Sequence, residues 1–136
     1  MRLLTAAAGI AAMLAGFSAS AAVPGEFAGT WTNPWNHSLT ITKDGDGFQI
    51  RTYSPQGATS YEECLVSATY NRDKMRLDPA RQMKCTTFNY PDNGGDPQPA
   101  GTSMRDLDCY YTITGGQLVR HEMNCEQDCE SAYDLN

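Results

Sequence analysis

Cysteine is the residue type in this chain with the most chemical potential, and it occurs at Cys64, Cys85, Cys109, Cys125 and Cys129. Five cysteines in a small exported domain predict two disulfides and one thiol left over, because disulfides form in oxidising compartments. Cys64 and Cys85 lie in neighbouring predicted strands, so we predict that they pair. Closing a loop of about 20 residues would stabilise the fold by roughly 3 kcal/mol.

The second disulfide is less constrained by the sequence. In the last predicted hairpin Cys109 lies opposite Glu122, which places Cys125 on the other face. Cys129 lies beyond a turn and escapes this constraint, so we predict a bond between Cys109 and Cys129 with Cys125 as the spare thiol. Other pairings among the five cysteines stay open.

Metal binding and catalysis would need histidines beside thiols or acids. His121 precedes the segment Cys125 to Cys129, but this spacing matches no standard zinc pattern, and oxidised cysteines do not ligate metals. His37, the other histidine, lies in no setting that would activate a nucleophile. We therefore predict a protein that is not an enzyme and has no metal or cofactor.

Residues 1–22 have the features of a cleaved secretory signal peptide. Arg2 is followed by an apolar stretch from Leu3 to Phe17 and by the small residues Ala19-Ser20-Ala21. A membrane anchor is the alternative, but the stretch is short and rich in Ala and Gly. We predict a single domain, residues 23–136, that is soluble in the periplasm or outside the cell.

Charge is distributed unevenly along the predicted domain. Without Arg2, nine basic residues face sixteen acidic ones, a formal charge of −7. Residues 92–136 hold nine of the acids, with Arg105 and Arg120 as their only basic residues, so all the excess lies there. Nucleic acid and membrane surfaces attract positive charge and are not predicted partners. The pattern favours a cationic exported protein as the partner, and the alternative is an acidic tail that aids solubility.

The predicted contacts for such a partner combine acids with aromatic anchors, because charge alone rarely supplies tight affinity. These residues are Tyr110, Tyr111, Glu126, Asp128, Glu130 and Tyr133.

Alternating apolar residues around Asp44-Gly45 predict a β-hairpin. With those two residues as the turn, Leu39 lies opposite Ile50 and Ile41 opposite Phe48, which puts all four side chains on one face.

A second hairpin is predicted in the same way. A loop over residues 71–74 would place Tyr70 opposite Met75 and Ala68 opposite Leu77.

Residues 90–104 lack periodicity and predict a long loop.

The last hairpin turns at Gly115-Gly116, whose glycines suit a primed turn. Its register sets Ile113 opposite Leu118 and Tyr111 opposite Arg120.

Short strands with close turns indicate an all-β domain, which we predict to be a small antiparallel up-and-down barrel of about eight strands. A β-sandwich is the alternative. The segment Phe27-Ala28-Gly29-Thr30-Trp31, followed by this meander, resembles the lipocalin-like (calycin) β-barrels. In that family the tryptophan closes the base of the barrel beneath an arginine from the last strand. The resemblance implies these structural roles for Trp31 and Arg120.

Together these features predict an exported, non-catalytic binding module that could inhibit a cationic protein such as lysozyme. The alternative function is that of a lipocalin-like carrier for a small apolar ligand, which would require an open barrel.

Overall fold

The structure is a computed structural model that describes residues 23–127 and 129–136. The predicted signal peptide and Asp128 lie outside the described residues. A short 3-10 helix (Pro24–Phe27) precedes ten strands. These are β1 (Gly29–Thr32), β2 (Ser38–Asp44), β3 (Gly47–Pro55), β4 (Ser60–Asn71), β5 (Arg76–Pro79), β6 (Gln82–Asn89), β7 (Gln98–Asp106), β8 (Cys109–Thr114), β9 (Gln117–Glu122) and β10 (Glu130–Leu135).

Eight of these strands form a closed antiparallel barrel, so the all-β barrel prediction is confirmed. The ring runs β1-β2-β3-β4-β5-β8-β9-β10, and the pairing of Trp31 with Leu135 closes it. Strand β4 has 12 residues, which pair along one edge with β3 and along the other with both β5 and β6. Strands β6 and β7 therefore form a ribbon outside the ring.

Side chains fill the inside of the barrel. Alternate residues of the strands in the ring point inward, and Ile41, Ile50, Leu77 and Leu118 are all fully buried there. Trp31 is also buried, and its indole N–H donates a hydrogen bond to the carbonyl oxygen of Phe27 at 3.0 Å. An eight-stranded barrel has an interior just wide enough for such packing.

The first hairpin keeps the predicted inward face but moves its turn by one residue. Ile41 pairs with Ile50, and Gly45 and Asp46 form the turn. In this register, a Cβ on Gly47 would lie 2.9 Å from the carbonyl oxygen of Ala68. Glycine is therefore needed at the first position of β3, next to β4. A turn moved by one residue shifts each pairing by two, so the inward face is unchanged.

The β4–β5 hairpin shows the same shift. Tyr70 pairs with Leu77 and Ala68 with Pro79, so the predicted partners, Met75 for Tyr70 and Leu77 for Ala68, were wrong. Met75 belongs to the turn, where it has a φ of 52° and a half-exposed side chain.

The β8–β9 hairpin has the predicted register, with Ile113 opposite Leu118 and Tyr111 opposite Arg120. Both glycines of its turn have positive φ, 60° at Gly115 and 81° at Gly116.

Two strands lie where the sequence analysis predicted none. Strand β7 occupies much of the predicted 90–104 loop, and all nine of its residues are exposed. Strand β10 lies in the acidic segment and completes the ring, although Tyr133 is its only buried residue.

The disulfides confirm one predicted pair and correct the other. Cys64 and Cys85 are directly opposite in β4 and β6 and are bonded, as predicted. The second bond joins Cys125 to Cys129, and the free thiol is Cys109. The predicted bond between Cys109 and Cys129 was wrong.

The position of β9 explains why Cys109 and Cys129 do not form a disulfide. Cys109 lies beside Glu122 on the β8 side, whereas the backbone N–H of Glu122 bonds the carbonyl oxygen of Cys129 on the other side. Two strand spacings are roughly 9.5 Å, which exceeds the Cα separation of about 7 Å that a disulfide tolerates.

The two disulfides indicate an oxidising, extracellular-type environment. Within the described ranges, no helix has the length and apolar character needed to cross a membrane.

Candidate functional site

An open cleft of about 960 Å³ lies at one end of the barrel. It is lined by Ala80, Arg81, Gln82, Asp106, Leu107, Asp108, Glu122 and Asn124. The β5–β6 connection, the β7–β8 connection and the end of β9 meet there. Backbone hydrogen bonds hold these connections together, from Leu107 N–H to Arg81 O at 2.7 Å and from Met123 N–H to Asp108 O at 2.9 Å.

Ion pairs neutralise only part of the negative charge in this cleft. Asp108 accepts a hydrogen bond from the Asn124 amide at 2.7 Å and lies 3.7 Å from an Arg81 nitrogen. Glu122 is paired with Arg120. Asp106 accepts a hydrogen bond from the Gln82 side chain and forms no ion pair with any described residue. The cleft lining therefore carries three carboxylates and one cation.

The β9–β10 loop extends this negative surface. Cys125 and Cys129 close the loop as a short disulfide ring, which places Glu126 and Glu130 beside the end of β9. Both glutamates are exposed, as the prediction that they contact a partner requires. The predicted contact Asp128, from the same loop, lies outside the described residues.

A row of interacting side chains crosses the outer surface next to this loop. The guanidinium of Arg76 lies 4.2 Å from the ring centroid of Tyr110, which stacks on His121 at 4.5 Å. Nδ1 of His121 is 3.0 Å from a carboxylate oxygen of Glu130. Tyr110 is thus partly exposed on the outer surface, with both Arg76 and His121 packed against its ring.

Tyr111 and Tyr133 were predicted as surface anchors, and the structure corrects both. Tyr111 is 2% exposed and Tyr133 is 8% exposed, because each points into the barrel. Burial raises the pKa of both phenols, although the nearby charge of Arg120 acts in the opposite direction. A partner at the surface cannot insert these rings without opening the barrel.

Arg120 shares this interior with the two tyrosines. Burial opposes its charge, but Tyr111, Cys109 and Glu122 more than offset that effect, so the pKa of its guanidinium is raised. The sequence resemblance assigned Trp31 and Arg120 to a common closure of the barrel. The structure gives each its own hydrogen-bond partner, the Phe27 carbonyl for the indole and Glu122 for the guanidinium.

An ion pair at the mouth of the barrel was not predicted from the sequence. Glu62 is a buried charged residue of β4 that points inward, and both of its carboxylate oxygens accept hydrogen bonds from Arg105 of β7. A signal was available, because Glu62 occupies the same alternating phase as Cys64 and Val66. An acid at such a position calls for a buried partner.

An aromatic cluster on the outer face also escaped the sequence analysis. The ring of Tyr61 lies 5.2 Å from Tyr53, 5.2 Å from Phe88 and 5.3 Å from Tyr90. A side-chain hydrogen bond with Tyr90 raises the pKa of Tyr53. These rings come from three strands and a loop, so no local pattern links them.

The described residues include one cluster of potential metal ligands, whose members already have partners, and one free thiol. Among the described residues, the ligand atoms of Glu62, Cys64 and Cys85 lie within 4.8 Å of one another. The two cysteines form a disulfide, and the glutamate is paired with Arg105. Burial raises the pKa of the Cys109 thiol, which disfavours the nucleophilic thiolate.

Comparison of the chain with protein-family models, with curated proteins and with solved structures found no match.

Proposed function

We propose that this protein is an exported, non-catalytic binding module whose acidic end docks on a cationic exported protein such as lysozyme and inhibits it. The observation that carries the proposal is the arrangement of the cleft and the β9–β10 loop. Asp106, Glu126 and Glu130 lie there on adjoining segments, and no arginine or lysine among the described residues forms an ion pair with them.

The physical basis is complementary charge. A surface of one sign attracts a partner of the other sign, which accelerates encounter and favours one orientation. Apolar contacts are available from Met123, which is half exposed beside the cleft, and from the ring edge of Tyr110, which is partly exposed. These residues replace Tyr111 and Tyr133 as the proposed anchors.

A pull-down tests this proposal. Lysozyme and other basic exported proteins are passed over the immobilised domain at low and high salt. Retention should weaken as salt rises, because the Debye length falls from about 10 Å at 0.1 M to about 3 Å at 1 M. The combined substitutions Asp106→Asn, Glu126→Gln and Glu130→Gln should slow association more than they speed dissociation.

The matched control removes three negative charges elsewhere, by the substitutions Asp46→Asn, Asp92→Asn and Asp96→Asn. These residues are exposed in loops outside the cleft lining. Equal loss of binding in both triple variants would mean that net charge alone attracts the partner. If nothing basic is retained at low salt, the proposal fails.

We also propose export with cleavage of residues 1–22 and location in the periplasm or outside the cell. The two disulfides and the signal-like pattern of these residues support it. A relationship to the lipocalin-like barrels remains a proposal, supported by the closed eight-stranded ring and the buried Trp31. Carriage of a small apolar ligand, the alternative function, has less support, because core side chains fill the barrel.

A further inference from the structure

A cavity of about 260 Å³ lies at the mouth of the barrel, separate from the acidic cleft. It is enclosed by the first residues of β2 and β4, the last residues of β3, and parts of β9 and β10, with the β6–β7 ribbon at its side. Its lining includes Leu39, Glu62, Met83, Arg105, Arg120 and Tyr133.

Two arginines line this cavity, and each has one carboxylate partner. Arg105 is paired with Glu62 within the lining. Arg120 is paired through Nε with Glu122, which lies in the lining of the acidic cleft and not in that of the cavity. The ion pair of Arg120 therefore uses Nε and leaves its two terminal nitrogens for other partners.

Polar groups in the cavity also lack protein partners. The side chain of Arg120 is only 24% exposed, yet no described residue accepts a hydrogen bond from its two terminal nitrogens. Tyr133 is buried as a residue, and its hydroxyl likewise forms no hydrogen bond with the described part of the chain. Buried polar groups are normally satisfied, so unpaired donors that line one cavity indicate an acceptor that enters it.

We propose that this cavity binds a small organic carboxylate, whose oxygens bond the free nitrogens of Arg120 and the hydroxyl of Tyr133. A planar guanidinium matches a carboxylate with two parallel hydrogen bonds. Leu39 and Met83 provide apolar walls for a compact hydrocarbon group. The volume admits a ligand the size of benzoate and excludes a long acyl chain. This site goes beyond the proposed docking function and does not depend on it.

Isothermal titration calorimetry of the protein with benzoate tests the proposal. Benzamide, a neutral molecule of similar shape, is the control ligand. Benzoate should bind saturably at one site per chain. Benzamide should bind at least about tenfold more weakly, because it lacks the charge that pairs with Arg120.

Two variants locate the site. Tyr133→Phe removes one hydroxyl without changing the ring, and it should weaken benzoate binding roughly tenfold while the melting temperature stays close to that of the parent protein. Arg120→Gln should abolish binding. If Arg120→Gln fails to fold, the Tyr133→Phe result decides alone.

Equal affinity for benzoate and benzamide would overturn the proposal, as would the absence of saturable binding to the folded protein. Undiminished benzoate binding by Tyr133→Phe, or by folded Arg120→Gln, would also overturn it. Substitution of Asp106, Glu126 and Glu130 should leave benzoate affinity unchanged, which separates this site from the acidic cleft.

Discussion

Removal of Arg105 tests how the ribbon is attached to the barrel. The side chain of Glu62 is 10% exposed. The two terminal nitrogens of Arg105 each donate a hydrogen bond to one carboxylate oxygen of Glu62. Arg105→Ala would leave a charged carboxylate buried without its counter-ion. Breaking a fully buried pair costs about 3–5 kcal/mol, whereas an exposed pair is worth about 0–1 kcal/mol.

Arg105 is 49% exposed, so water reaches its side of the pair and the cost lies between these limits. We expect Arg105→Ala to lower the free energy of unfolding by about 2 kcal/mol. For a domain of this size that corresponds to a melting temperature lower by roughly 8 °C. Chemical denaturation and thermal melting, followed by circular dichroism, measure both quantities.

A double-mutant cycle with Glu62→Gln isolates the pair. The double variant should lose less free energy of unfolding than the sum of the losses in Arg105→Ala and Glu62→Gln, because no unpaired charge remains in it. Arg51→Ala is the matched control, since Arg51 pairs with the adjacent Glu63 at 3.6 Å on the outer surface and is 55% exposed. The control should cost less than about 1 kcal/mol. Additive effects, or a cost of Arg105→Ala no greater than that of the control, would refute this reasoning.

The remaining predictions concern the first hairpin and export. Gly47→Ala should destabilise the fold by about 1–3 kcal/mol, because the added Cβ would lie too close to the carbonyl oxygen of Ala68 and the backbone would have to shift. Gly25→Ala is the control, because a Cβ at Gly25 would have no neighbour within 4 Å. Equal stability of the two variants would contradict the register of the first hairpin. Intact mass of the exported protein should correspond to a chain that begins at Ala22 or Val23, and a membrane-bound product that retains residues 1–22 would contradict cleavage.

Much of the fold could be predicted because β-strand alternation is a local property. Leu39, Ile41, Phe48 and Ile50 all point into the barrel as the alternating pattern indicated, even though the turn was misplaced. When a predicted turn is misplaced by one residue, each side chain of the two strands still lies on the same face of the sheet. The glycines at 115 and 116 defined their hairpin completely, since few other residues adopt positive φ at two successive positions.

The candidate site was predicted only in part, because its residues come together from distant parts of the chain. Glu126 and Glu130 were recognised by their charge, but the contribution of Asp106 and Asp108 to the same surface depends on how the β7–β8 connection meets the end of β9. Tyr111 and Tyr133 resembled surface anchors by residue type alone. Their burial follows from strand facing and from β10 closing the ring.

The sequence by itself determined the inward face of most strands and the excess negative charge of residues 92–136, since each depends on spacing or composition. It favoured the Cys64–Cys85 bond, which the structure confirms. Only the tertiary structure decided that β10 completes the barrel, because a strand with one buried residue has almost no hydrophobic pattern of its own. That closure places Cys129 two strands from Cys109 and brings Tyr133 to Arg120 at the mouth. Such long-range pairings are favourable only when the whole sheet forms, so no local segment of the chain encodes them.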